Sequence, residues 1–169
     1  MDTTTLPIRP TTAADLTALV GEELGPTEWY EITQKRVNAF ADATGDHQWI
    51  HVDVEKAAAS TLGGTIAHGL FSLSLGPYLS SRLLTLEDFA HGLNYGYNKV
   101  RFPAPVPVGS RVRMRVTVVS AEEMPGGIQV TTAQVVECEG SDKPVMIAES
   151  VGRVIPHPDH TVYPDRPEL

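Results

Sequence analysis

Only one cysteine, Cys138, occurs in 169 residues, which excludes a disulfide within the chain and any cysteine-based metal cluster. Its surroundings read as strand, so it is expected inside as a small apolar group. Positive charge is also scarce: 13 Lys and Arg stand against 21 Asp and Glu, a net charge of −8, so the basic face of a nucleic-acid binder is missing. An anionic small molecule is not excluded, because a few local arginines can oppose the global sign. No apolar run approaches the roughly 20 residues that span a bilayer. Met1-Asp2-Thr3-Thr4-Thr5 lacks the basic and apolar regions of a signal peptide, so a cytoplasmic location is expected. The remainder is ordinary for a soluble protein: 41% apolar and 20% charged residues, in a length that suits one domain around one core.

The order of local signals suggests the architecture. Residues 1–11 are rich in Thr and Pro and are expected to be a flexible N-terminus. A short helix is predicted over 12–20, ended by Gly21, and a first strand over 28–32. Thr33 can cap a helix over 34–44, with Val37, Phe40, Ala41 and Thr44 on one face. Asp53 can cap a further small helix through 54–59. Residues 68–84 are apolar nearly all round, which places that segment in the middle of a fold, and Gly76-Pro77 should kink it. Strands dominate from 94 onward. Arg111-Val112-Arg113-Met114-Arg115-Val116-Thr117-Val118 alternates charged and apolar residues, so Val112, Met114, Val116 and Val118 should face inward. Pro125-Gly126-Gly127 and Glu139-Gly140-Ser141-Asp142 mark turns. The proline-rich stretch 101–109 reads as a rigid connector and 156–169 as a loosely attached tail. There is no internal repeat. Helices first, one buried helix, then long strands describe an α+β domain over 12–155 with an antiparallel sheet. One helix against one curved sheet leaves an edge or a face uncovered, so a homodimer is expected.

The chemistry concentrates in Gly45-Asp46-His47-Gln48-Trp49-Ile50-His51-Val52-Asp53, where a carboxylate and an imidazole stand five residues apart. On a loop held at both ends by helices, Asp46 and His51 can bend toward one point, the minimum equipment for moving a proton on and off a substrate and a water. Alone, Asp46 is a helix-terminal turn residue and His51 a hydrogen-bonded loop histidine. Their pairing with Thr65-Ile66-Ala67-His68-Gly69-Leu70, which opens the central apolar segment, is what points to catalysis. Asp53 is expected to serve as a cap, His47 to lie at the surface and His68 to position the helix start; His91, His157 and His160 are assigned no role. Asp46, His47, His51 and Asp53 could crowd an ion, but the spacing matches no usual zinc pattern and lacks a second cluster, so no metal is expected.

These residues resemble the MaoC-like, (R)-specific enoyl-CoA hydratases, or hydratase 2, a family of hot-dog fold. The hallmark of the family is an aromatic residue followed by Gly-Asp-x-Asn-Pro-hydrophobic-His-x-Asp; here it reads Phe40, then Gly45-Asp46-His47-Gln48-Trp49-Ile50-His51-Val52-Asp53. A second landmark, hydrophobic-x-His-Gly, matches Ile66-Ala67-His68-Gly69. A third, Phe-x-x-Pro-hydrophobic-x-x-Gly, matches the segment from Phe102 to Gly109. The likeness covers roughly residues 27–155. It is strongest to short, single-hot-dog actinobacterial hydratases and nodulation-protein-N-like members. Gln48-Trp49 replaces the usual Asn-Pro: Gln48 can still donate and accept hydrogen bonds, and Trp49 can wall the site against water.

The resemblance implies a single hot-dog fold, an antiparallel sheet wrapped around a central helix. It implies hydration of a trans-2-enoyl-CoA to an (R)-3-hydroxyacyl-CoA, or the reverse dehydration. His51 would activate the water, since neutral imidazole can act as a base near neutral pH. Asp46 would share that water and handle the second proton; burial by Trp49, Phe40 and the acyl chain would let it hold a proton part of the time. The Gly69 N–H would receive the charge that builds on the thioester oxygen. Gln48, Trp49, Gly69 and Phe102 would contact the substrate, and Lys99, Arg101, Arg111 and Arg113 are candidates for coenzyme A phosphates. No cofactor is implied, because coenzyme A is part of the substrate; the carrier is coenzyme A or acyl carrier protein. Two alternatives remain. A thioesterase of the same fold commonly places a carboxylate on or beside the central helix, and residues 68–84 contain none. A non-catalytic acyl-binding subunit would not need both Asp46 and His51.

Overall fold

Strict alternation in the third quarter of the chain sets the inner face of the sheet. Val112, Met114, Val116 and Val118 are each at most 1% exposed, as the two-residue period predicts. The computed structural model describes residues 6–157. In chain order its elements are α1 (Ala13–Ala18), β1 (Glu23–Leu24), β2 (Tyr30–Glu31), α2 (Gln34–Thr44), α3 (Trp49–Val52) and α4 (Val54–Ala58). There follow α5 (Gly69–Ser74), α6 (Gly76–Ser80), β3 (His91–Arg101), β4 (Arg111–Met124), β5 (Gly127–Cys138) and β6 (Met146–Ile155). The strands form one antiparallel sheet in the order β1-β4-β5-β6-β3, and β2 joins the same edge of β4 further along. Register shifts in β3 and β4, one of them between Val118 and Ser120, let the sheet bend around a helix.

That helix is α5 and α6 together. Leu75 ends the first and precedes the second, at the break expected from Gly76-Pro77. Pro77 donates no N–H, yet the helix resumes at once, because Leu79 N–H donates to the Leu75 carbonyl at 2.9 Å. Phe71, Leu79 and Leu83 are buried in the core beside Met114 and Val116. Glycine at 76 lets the helix approach the sheet, since a Cβ there would stand 3.1 Å from Gln134 Oε1. The all-round apolar pattern overstates the burial, however. Leu70 is 61% and Tyr78 45% exposed, so one flank of the helix is open in the single chain.

The caps expected at Thr33 and Asp53 hold: Thr33 accepts from Arg36 N–H and Asp53 from Lys56 N–H. Thr12, read as the first residue of a helix over 12–20, instead caps α1 through a reciprocal capping box with Asp15. Cys138 is buried at the end of β5. The N-terminal stretch expected to be flexible through residue 11 is in part tied down. Ile8 N–H donates to the Leu83 carbonyl at 2.8 Å, Thr85 N–H to the Ile8 carbonyl at 3.0 Å, and Arg9 pairs with Glu87. Residues 1–5, and the expected tail from 158 on, lie outside the described residues. No helix among the described residues is long and apolar enough to cross a membrane.

The charged half of the β4 alternation is a solvated face laced by ion pairs. Arg113 Nε meets Glu137 Oε2 at 2.7 Å, Arg115 Nε meets Glu137 Oε1 at 3.1 Å, and Arg111 pairs with Glu139. The hydrogen bond from Arg113, then that from Arg115, holds the Glu137 carboxyl below its ordinary range. A carboxyl lowered in the folded state stabilises above its unfolded value, near ~4.3, and loses that contribution as pH falls through the folded one. Glu137→Gln should therefore cost less than about 1 kcal/mol at pH 7, the pair being partly exposed and screened. The difference between the two urea midpoints should shrink toward pH 3; a gap that stays constant with pH would contradict the assignment.

Candidate active site

The chain leaves α2 through Gly45, whose φ of +76° is the left-handed turn that glycine favours. Asp46 follows at once. His51 does not lie on a loop, as the spacing suggested, but on the four-residue helix α3, where it is 6% exposed. Four residues are too few to show a helical period, which is why the sequence pattern missed it. Two hydrogen bonds lock α3 to the strand-like segment before the central helix: His51 Nδ1–H donates to the Ile66 carbonyl at 2.7 Å, and Ile66 N–H to the Ile50 carbonyl at 3.0 Å. A carbonyl can only accept, so the proton of a neutral His51 sits on Nδ1 and Nε2 keeps its lone pair.

Gln34 supports this arrangement, and sequence reasoning did not find it. Its Nε2–H donates to the His51 carbonyl at 2.7 Å, while its Oε1 accepts from the Thr65 hydroxyl at 2.6 Å. One amide side chain thus ties α3 to the segment that leads into α5. The available signal was its place at the first position of a capped helix.

His68 is closer to the centre than expected. It is 3% exposed, it precedes α5, and its ring stacks on that of His51 with centroids 3.7 Å apart. Its Nε2–H donates to the backbone carbonyl of Asp46 at 2.9 Å, and Nδ1 is buried without a partner. Phe40 packs on the His68 ring at 5.1 Å and on Phe71 at 5.5 Å. The Asp46 carboxylate, with a 56% exposed side chain, lies 3.9 Å from His68 Nε2. Asp46, His51 and His68 present polar atoms within 4.8 Å of one another, a set that could crowd an ion. One nitrogen of each imidazole is already committed to a backbone carbonyl.

A cavity of about 310 Å³ opens beside this cluster, with His51, Ala67, Gly69 and Ser72 on one side and Phe102 and Val106 on the other. His51, Gly69 and Phe102 therefore meet, as the motifs suggested. Gly69 is needed for space: a Cβ there would stand 2.8 Å from the Phe102 ring. Asp46, Gln48 and Trp49 are not among the walls in the single chain. Gln48 is exposed, and Trp49 faces the Lys56 ammonium, 5.0 Å from its ring, rather than enclosing Asp46. A second cavity of about 250 Å³ lies further along the same helix, between α6 and the inner sheet face.

The remaining candidates separate clearly. Arg111 and Arg113 are engaged with Glu139 and Glu137 and pack over Trp29. Lys99 and Arg101, exposed near the end of β3, stand beside Phe102. His47 is at the surface, where its hydrogen bond with Asp42 at 2.9 Å raises its protonation range. Asp53 is a cap.

Comparison with known proteins identifies the family. The family model described as "MaoC like domain" matches residues 15–139. The chain is 54% identical over 143 residues to 3-hydroxyacyl-thioester dehydratase Z of Mycobacterium tuberculosis, covering 84% of this chain and 95% of the relative. It is 44% identical over 138 residues to Nodulation protein N of Rhizobium leguminosarum, covering 80% and 86%. Among solved structures, the unliganded R-hydratase PhaJ1 of Pseudomonas aeruginosa superposes with a TM-score of 0.70 at 24% identity, covering 87% of each chain, which supports the fold. The chain belongs to the MaoC-like dehydratase family.

Gln34 offers a direct check on the scaffold. Gln34→Leu leaves the buried Thr65 hydroxyl and the His51 carbonyl without this partner, and should lower stability by about 1–3 kcal/mol. A denaturant midpoint unchanged from that of the wild type would show that Gln34 does not hold the site together.

Proposed function

We propose that this chain is a hydro-lyase that adds water to a trans-2-enoyl thioester, giving the (R)-3-hydroxyacyl thioester, and catalyses the reverse dehydration. The observation that carries this reading is the fixed tautomer of His51: Nδ1–H is spent on the Ile66 carbonyl, so Nε2 is a free base at the wall of a cavity that also contains Gly69. Dehydration of a 3-hydroxyacyl thioester is also what the name of its mycobacterial relative states of that protein.

A water held between His51 Nε2 and Asp46 gives up a proton to Nε2 as its oxygen bonds to C3. The π pair moves toward C2 and the thioester oxygen. Asp46, in its acid form and on the same side, delivers a proton to C2, and the proton on His51 then returns to Asp46. Both new bonds form on one face of the alkene, so addition is syn. The first amide of α5, that of Gly69, has no acceptor within the helix and can receive the enolate-like oxygen. Losing one such donor typically costs ~10²–10³ in rate.

Asp46 is too exposed in the single chain for this role without a cover. The acyl thioester supplies part of it, and a second copy supplies the rest. β3 is an edge strand carrying exposed Leu93 and Tyr95, and Phe102 and Leu70 lie exposed beside the cavity. Pairing two such edges buries that apolar surface. The proposed form is accordingly a homodimer. The thioester is carried by coenzyme A or acyl carrier protein, with Lys99 and Arg101 facing its phosphates; no further cofactor is required. The acyl chain runs beneath the kinked helix toward the second cavity.

Purified protein mixed with crotonyl-CoA should cause loss of the conjugated thioester absorbance and yield (R)-3-hydroxybutyryl-CoA. His51→Ala and Asp46→Ala should each lower the rate by about 10²–10⁴, the usual contribution of a general acid or base, with folding retained. Release of free coenzyme A would indicate a thioesterase instead. Full turnover in both variants would sink the mechanism.

A further inference from the structure

The second cavity is not uniformly apolar, and two residues of its wall carry a buried polar atom without a partner, Gln134 Oε1 and Arg153 Nε. β5 turns Val130, Thr132, Gln134 and Val136 toward the helix with the two-residue period of a strand. Gln134 is 5% exposed. Its Nε2 lies 3.5 Å from the Thr132 hydroxyl, the outer limit of a hydrogen bond, and its Oε1 has no partner. That oxygen faces the helix kink: the position a Cβ on Gly76 would occupy is 3.1 Å from Oε1 and 4.0 Å from the Tyr97 hydroxyl. The Tyr97 oxygen accepts from Asn94 Nδ2 at 3.2 Å, which leaves its own proton free to donate. An acceptor and a donor therefore both stand near the helix kink, in the wall of a cavity that Leu84, Leu93, Val116 and Val130 line together with Ser150 and Arg153.

An unpaired amide oxygen in such a wall is costly. Water can satisfy it while the cavity is empty. A plain alkyl chain would expel that water and leave Oε1 facing methylenes, whereas a hydroxyl would donate to Gln134 Oε1 and accept from Tyr97. We infer that the preferred substrate is a medium-length enoyl or 3-hydroxyacyl thioester that carries an additional hydroxyl near its far end, recognised by Gln134 and Tyr97. This rests on the hydratase reading above. Gly69 and Gly76 are seven residues apart, roughly 10 Å along a helix. That span sets the hydroxyl roughly eight carbons from the thioester carbonyl, given bonds of ~1.5 Å in a zigzag.

The test compares kcat/KM for 8-hydroxyoct-2-enoyl-CoA and oct-2-enoyl-CoA within each protein, so that no variant has to match the wild type in absolute rate. The wild type should favour the hydroxylated chain by about tenfold, the lower range of what an unpaired buried polar group costs. In Gln134→Leu the ratio should fall to one or below, and Gln134→Met should do the same should the leucine variant not fold. A wild-type ratio near one, or a preference that survives in the variants, overturns the inference while leaving the hydratase reading intact. A wild type that hydrates neither of these thioesters nor crotonyl-CoA overturns the hydratase reading itself.

Discussion

The hydrogen bond from His51 Nδ1 to the Ile66 carbonyl, 2.7 Å long, is the contact on which the site depends. It joins a four-residue helix to the segment that enters the central helix, and it decides which imidazole nitrogen carries the proton. Without it the ring could turn, and either nitrogen could face the cavity. The neighbouring contacts reinforce this bond: Gln34 clamps the His51 carbonyl, the His68 ring lies flat against His51, and His68 Nε2–H holds the Asp46 backbone. The His51 ring is thereby fixed by groups that are themselves hydrogen-bonded or packed, the condition that the proposed role as base requires.

The central helix organises the rest. Its start presents the Gly69 amide to one cavity, and its kink at Gly76-Pro77 faces the other. Glycine at both places permits close approach, of Phe102 at the first and Gln134 at the second. The sheet that encloses it is curved by bulges and ends in an uncovered strand, β3. Leu70, Phe102 and Tyr95 are exposed in the single chain, and β3 is an open edge.

Much of this was legible in the residues. The period-two run in β4, the caps at Thr33 and Asp53, and the helix break at Gly76-Pro77 each rest on the types of residues a few positions apart. Such relations survive in the sequence as spacing. The pairing of Asp46 with His51, and the meeting of His51 with Gly69 and Phe102, followed from motif likeness. The exact partners of each did not. Trp49, inside the motif and expected to wall the site against water, faces Lys56, and Arg113, a candidate for phosphate, is committed to a carboxylate on the adjacent strand.

By itself, then, the sequence determined an α+β chain with a buried helix, an alternating sheet, and a carboxylate and imidazole close enough to share one water. Local hydrogen bonding and hydrophobic period decide those features, and both are written in residue order. Only the tertiary structure decided that His51 holds its proton on Nδ1, that His68 stacks upon it, that Gln34 braces it from 17 residues away, and that Gln134 faces the kink unpaired. Those relations join residues remote in the chain, and their strength comes from burial, which exists only once helix and sheet have closed on each other.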